Sequence, residues 1–281
     1  MPSHPAPAKN YDEAIRLFEN LRSQEPPGMN PLCVNQLLTH GFRTELAIVL
    51  VHGYTSAPPQ FEALGKEFFN KGYNVLIAAL PHHGFSDRMT EEHGRLTAGE
   101  LAAYADRSLD IATGLGSHVT MMGLSAGGVT AAWAAQQRKE LDLCIIISPA
   151  FGFRKIPTLL TWPAMVFYRL LPDSFEWWDP ELKANGASSY GYPKYSHHAL
   201  TEVLRLGFDV KDEARSGSPA AKKIIMVLNP NDDMVNNEMA EQLTEIWKNR
   251  GANISTFTFD AGLKLPHDLV GADQSAQRID I

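Results

Sequence analysis

Two cysteines among 281 residues, Cys33 and Cys144, are too few and too far apart for a disulfide framework or a zinc pattern. No run of about 18 apolar residues occurs. The first thirty residues also lack the apolar core of a secretory leader. Positive charge is in deficit as well: 25 Lys and Arg against 32 Asp and Glu leave a formal net charge of -7. That balance disfavours nucleic acid as a partner, because phosphate binding needs clustered Lys and Arg. His82, His83, His197 and His198 stand in loops without the carboxylate–histidine spacing of a metal site, so neither metal nor cofactor is expected. Internal repeats are missing, and residues 1–9 form a Pro-rich stretch read as mobile. These absences leave a cytoplasmic globular protein with no integral membrane association; its oligomeric state is not readable.

What is present is enough apolar residue content for a full core, 44 % of the chain. Apolar positions from Tyr11 to Gln24 recur at helical spacing and end at Pro26-Pro27-Gly28. Leu37 and Leu38 suggest a short strand. Leu46–Val51 is a continuous apolar run, as expected of a strand buried on both faces of a parallel sheet. Asn74–Leu80 and Leu141–Ser148 read as further buried strands, His118–Gly123 as the strand feeding the next turn, and Lys223–Leu228 as the point where the sheet resumes. Ile254–Phe259 alternates as a last strand. Helical patterns from Pro59 to Lys71, Thr97 to Leu115, Val129 to Arg138 and Asn237 to Arg250 alternate with them, which predicts βαβ units and an α/β fold.

Between Phe151 and Tyr195 the rhythm breaks. Eleven of the chain's 26 aromatic residues fall there, and prolines at 157, 163, 172, 180 and 193 divide the segment. It reads as an inserted cap rather than a domain with its own core. Phe151, Phe153, Trp162, Phe167 and Trp177 are its candidate substrate-binding residues. The predicted organisation is an N-terminal helix and lead-in strand over 1–44, an α/β core over 45–150 and 196–281, and a cap over 151–195.

The centre of the reading is Gly123-Leu124-Ser125-Ala126-Gly127, between a predicted strand and a predicted helix. A serine on a sharp strand-to-helix turn needs small residues two positions either side, where a Cβ would collide. An acid after a later strand and His267 after the last one complete the chain order Ser…Asp…His, each just past the C-terminal end of a strand. Serine is a weak nucleophile that needs a base within hydrogen-bond reach. Histidine suits that role, with an ordinary pKa of about 6.5, and a carboxylate fixes its tautomer. The acid is Asp232 or Asp233.

With these residues in order, the chain resembles the α/β-hydrolases of the capped esterase and monoacylglycerol-lipase type. His52-Gly53-Tyr54-Thr55 is similar to that family's oxyanion motif. Leu80-Pro81-His82-His83-Gly84-Phe85-Ser86 is similar to its L-P-G-H-G-x-S loop, with His82 where glycine is commoner. Asn231-Asp232-Asp233-Met234-Val235 resembles its acid motif, which favours Asp232 because that residue stands three before Val235. The resemblance covers about residues 45–150 and 220–270. It implies a mostly parallel sheet flanked by helices under an inserted helical cap, with the backbone amides of Tyr54 and Ala126 as the oxyanion hole and His52 bracing the loop. It also implies a final helix, for which Gln274–Ile281 is a poor amphipathic candidate.

The activity implied is that of a serine carboxylesterase acting through an acyl-enzyme on a small-molecule ester, short-to-medium acyl or monoacylglycerol-like. Thioesterase, amidase and carbon–carbon bond hydrolase share the triad, and a non-catalytic binding protein could share the fold. Dehalogenase and epoxide-hydrolase chemistry would call for Asp where this chain has Ser125.

Overall fold

The computed structural model describes residues 1–178 and 190–272; the segment Gln274–Ile281 lies outside the described residues. The elements are α1 (Tyr11–Ser23), β1 (Gln36–Leu38), β2 (Thr44–Val51), α2 (Glu62–Asn70), β3 (Tyr73–Ile77), α3 (Ala98–Leu115), β4 (Gly116–Leu124), α4 (Ala126–Gln137) and β5 (Leu141–Ile147). They continue with α5 (Thr158–Leu170), β6 (Phe175–Trp177), β7 (Lys194–Ser196), α6 (His197–Ser216), β8 (Ile224–Leu228), α7 (Asn237–Asn249) and β9 (Ile254–Thr258).

The sheet has seven strands in the order β1-β3-β2-β4-β5-β8-β9. Only β1 runs antiparallel, with Gln36 opposite Ile77; every other pairing is parallel. The chain leaves β2 to one side for β3 and returns on the other side with β4. Strand order therefore reverses between β2 and β4, which opens a crevice at their C-terminal ends.

Strand periodicity explains the two-sided burial. Ala47, Val49 and Val51 of β2 face one core with Leu101 and Leu109 of α3 and Val129 and Trp133 of α4. Ile48 and Leu50 face the other, with Phe61 and with Leu64 and Phe68 of α2. The segment between β5 and β8 holds α5, the antiparallel pair β6–β7 and α6; α6 packs on α3, α4 and α7, and α5 packs on α6. Both cysteines are buried and free. No helix of the described residues is long and apolar enough to cross a membrane.

The Pro-rich start is not mobile as expected. The amides of His4 and Ala6 donate to Asp106 and Asp110 on α3 at 2.7 and 3.0 Å, and Ala8 donates to the Asp110 carbonyl at 2.9 Å. Those two carboxylates are held in place by the fully buried Arg138, at 2.8 and 2.7 Å. Backbone donors have no sequence signature, so composition alone could not show this docking.

The turn after β4 has no room for side chains on either flank. A Cβ on Gly123 would stand 2.1 Å from the Gly127 carbonyl oxygen, and one on Gly127 would stand 2.1 Å from that of Val51. The second collision is with the end of β2, not with β4 as the motif's strand-against-helix picture suggests. Gly123→Ala and Gly127→Ala should each cost at least ~3 kcal/mol in urea unfolding, because backbone must move on both sides of the contact. Gly99→Ala in the open first turn of α3, with nothing within 4 Å of the new Cβ, should be neutral or stabilising by up to ~1 kcal/mol.

Candidate active site

Ser125 has φ 58 and ψ -114, a sparsely populated conformation for a residue with a Cβ. Its backbone is pinned on both sides. The Ser125 amide donates to the Ile147 carbonyl on β5 at 3.0 Å, and its carbonyl accepts from Val129 and Ala150, each at 3.1 Å. The side chain is thereby lifted out of the turn. Ala126 starts α4, where the first amides have no carbonyl one turn back.

The loop after β2 lies directly against this turn: a Cβ on Gly53 would stand 3.5 Å from that of Ser125. His52 is fully buried. Its Nδ1–H donates to the Gly53 carbonyl at 2.8 Å and its Nε2 accepts from the Leu80 amide at 2.9 Å, which together fix a neutral tautomer. The Ser56 amide also donates to the Gly53 carbonyl, at 3.2 Å. Two donors thus hold the carbonyl end of the Gly53–Tyr54 peptide, whose other end is the Tyr54 N–H. Among the described residues that amide, like that of Ala126, meets no backbone acceptor. The Tyr54 ring packs against His83 and His93, and its hydroxyl accepts from the Ser196 amide at 3.2 Å. Thr55 follows at φ 63.

Past β8, Asp232 is fully buried and its Oδ2 accepts from His267 Nδ1 at 2.7 Å. Its Oδ1 accepts from the amides of Met234 and Val235 at 2.9 and 3.0 Å. Burial works against the charge on this carboxyl. The hydrogen bond and charge of His267, with those two amides, outweigh it and hold its pKa below the ordinary aspartate value. Asp233 instead borders a cavity beside this loop. The described residues hold no hydrogen bond between Ser125 Oγ and His267; Nδ1 is committed to Asp232, which leaves Nε2 as the ring nitrogen not engaged by that carboxylate.

Three supporting residues carry no motif. Asn229 Nδ2 donates to the carbonyls of Leu265 and Pro266 at 3.0 and 2.8 Å and so carries the chain into His267. Gln60 and Asp268 join the His267 loop to the Gly53 loop. Such partners are set by side-chain reach between distant loops; only the Asn229-Pro230-Asn231 turn chemistry hinted at one of them.

A cavity of about 480 Å³ lies between α5, the β6–β7 pair, the start of α6 and the loop after β8. Phe153 and Trp177 line it as the sequence suggests, joined by Tyr168, Trp178 and Tyr195. The other three cap candidates do not. Phe151 is 4 % exposed and packs on Gly207 of α6. Trp162 and Phe167, at 56 % and 58 % exposed, sit on the outer face of α5. The cavity takes the Ala164, Met165 and Tyr168 side of that helix, and at ~100° per residue positions 162 and 167 both point away from that side. Trp178 Nε1–H donates to Thr55 Oγ1, and the Tyr192 amide to the Thr55 carbonyl, both at 2.8 Å, so this segment rests on the loop after β2.

Under that loop His52, His83 and His93 form a buried cluster with Tyr54 and Tyr192. His83 Nδ1–H donates to the Pro81 carbonyl at 2.8 Å, and His93 Nε2 lies 3.0 Å from the Lys194 carbonyl. His82 has φ 63, which accounts for glycine being the commoner residue in this loop.

Burial pushes the pKa of His52 down to about 4. Folded His52 therefore binds its proton less readily than the unfolded chain does, and the stability it gives is intact above about pH 6.5. That stability is lost as pH falls from there through 4, by up to ~3 kcal/mol. Urea unfolding at pH 7.5 and 4.5 should show the loss in the native protein and a smaller one in His52→Asn. Equal losses would place the acid sensitivity elsewhere.

Among curated proteins, no sequence matches the chain. Solved structures do match. A metagenome-derived lipolytic enzyme, from work on LipS and LipT, is 20 % identical at TM-score 0.61, over 83 % of this chain and 89 % of that one. A monoacylglycerol lipase of Paleococcus ferrophilus is 21 % identical at TM-score 0.60, over 80 % and 88 %. A soluble variant of monoglyceride lipase from Saccharomyces cerevisiae is 14 % identical at TM-score 0.65, over 88 % and 85 %. At these identities the likeness shows the fold, which is that of the α/β-hydrolases. The Hydrolase_4 family model, described as serine aminopeptidase, S33, matches residues 43–257, and the chain belongs to that family.

Proposed function

We propose that the protein is a serine hydrolase that cleaves carboxylic esters through an acyl-enzyme. The observation that carries this reading is the 2.7 Å bond from His267 Nδ1 to the buried, ionised Asp232, on the same sheet edge as a serine at φ 58. In this reading Ser125 Oγ attacks the acyl carbon while His267 Nε2 takes its proton, and Asp232 stabilises the imidazolium that forms. The tetrahedral oxyanion lies against the Tyr54 and Ala126 amides, each worth about 3 kcal/mol of barrier in comparable sites. The alcohol leaves with the proton from His267. Water then repeats the sequence on the acyl-enzyme and releases the acid.

The 480 Å³ cavity, lined by aromatic and aliphatic side chains together with Lys155, Glu176, His197 and Asp233 and bordered by the loop that carries Asp232, is the candidate site for an apolar acyl or alkyl group of short-to-medium length. The lipases that share the fold point in the same direction. Residues 151–195 fit the role of a cap, since α5, Trp177 and Trp178 wall the cavity and Trp178 holds Thr55. A second reading is favoured by Glu176 and Asp233, which both border this cavity: two carboxylates there could receive the ammonium of an aminoacyl substrate. Turnover of p-nitrophenyl butyrate against that of aminoacyl p-nitroanilides separates the two.

Ser125→Ala should lower p-nitrophenyl butyrate turnover by at least ~10⁴-fold and end labelling by a fluorophosphonate, with the circular dichroism spectrum unchanged. Turnover that survives in this variant refutes the assignment. Asp232→Asn should lower kcat by ~10⁴-fold, because the amide no longer selects the tautomer, whereas Asp233→Asn should stay within about threefold.

A further inference from the structure

Resting on the reading of Ser125 as an ester-cleaving nucleophile, we propose that Gln60 is a positioning residue that sets the oxyanion loop and the histidine loop in register. Gln60 sits on the short 3-10 turn Pro58–Phe61 leading into α2 and is 5 % exposed. Both ends of its amide are engaged. Oε1 accepts the Gly53 N–H at 2.8 Å, and Nε2 donates to Asp268 Oδ2 at 2.7 Å. Asp268 is itself fixed, because its other oxygen accepts from the amides of Val270 and Gly271 at 3.0 and 2.8 Å.

The two things bridged are the two halves of the chemistry. Gly53 precedes the Tyr54 amide and lies against Ser125, while Asp268 follows His267. They are more than 200 residues apart in the chain, and one buried side chain spans them. The pattern of donors and acceptors selects glutamine. Gly53 presents a donor and needs an acceptor; Asp268 presents a carboxylate and needs a donor. Ionised glutamate would serve Gly53 but repel Asp268, and an apolar residue would leave the buried Gly53 amide without its acceptor and take this donor from Asp268. A shift at residue 60 therefore displaces the oxyanion donor and the base relative to each other. A misplacement of this kind lowers the rate of the chemical step more than it weakens substrate binding.

The polarity of the bridge can be inverted. In the double variant Q60E/D268N, the carboxylate introduced at position 60 accepts from both the Gly53 amide and the side-chain amide introduced at position 268. The carbonyl of that new amide still accepts from Val270 and Gly271. Net charge is unchanged. The experiment measures kcat and KM for p-nitrophenyl butyrate, with Tm, for the native protein, Q60E, D268N and the double variant. Q60E should lose about 10- to 100-fold in kcat with KM within about threefold, less than the loss of an oxyanion donor outright. The double variant should return to within about threefold of the native kcat. If Q60E does not fold, Gln60→Met replaces it and should show the same loss in kcat.

A single variant with native kcat, or a double variant no better than the worse single, overturns the proposal. So does a loss that follows only the folded fraction seen in Tm. A native protein without Ser125-dependent turnover overturns the ester-hydrolase reading, and this one with it. An active native protein with indifferent variants overturns this inference alone.

Discussion

Backbone presses on backbone at the C-terminal ends of β2 and β4, and the rest of the site depends on that contact. Gly53, Gly123 and Gly127 let three segments meet where no Cβ would fit or where one would touch Ser125. The closeness has a conformational cost. Among the described residues, four of the five non-glycine residues with positive φ follow strands of the sheet: Thr55 after β2, His82 after β3, Ser125 after β4 and Ser148 after β5. Each such residue costs about 1–3 kcal/mol and persists only where its surroundings over-determine it. Here they do. Ser125 is held by three backbone hydrogen bonds, and Thr55 by Trp178 and Tyr192. Strain gathered along one edge of the sheet, and anchored from several directions, makes a rigid rim on which side chains can be aimed.

Charge around that rim is arranged economically. The histidines beneath it are kept neutral by burial, so they act as fixed hydrogen-bond braces rather than as cations. The buried carboxylate of Asp232 is compensated by a histidine and two amides. In such a dry setting each oriented N–H counts for more than it would in water. The loop carrying Tyr54 is braced by His52 from below, by Trp178 from above and by Gln60 from the side.

Much of the candidate site's geometry was legible because its determinants are local. Glycines two before and two after Ser125, the His52-Gly53 pair and Asp232 three before Val235 are all properties of a few consecutive residues. The structure puts them at one edge, and it turns Asp232 rather than Asp233 toward His267. The sheet was legible for the same reason, since each central strand carries a short, mostly apolar and β-branched run in consecutive residues. What escaped was set by distance or by uniformity. The bond from Gln60 to Asp268 joins loops from opposite ends of the chain. Helix α5 is apolar almost all round, so periodicity could not tell that Met165 faces inward while Trp162 and Phe167 face out. The docking of the first residues on Asp106 and Asp110 uses backbone donors, which every sequence has.

The most direct test is to catch the covalent intermediate. Acid quenching of the protein in the first turnovers of p-nitrophenyl butyrate, followed by peptide mass spectrometry, should place a butyryl group on the peptide that carries Ser125. A native protein that turns the ester over with no acyl group there, or with the acyl group on another residue, would contradict the account.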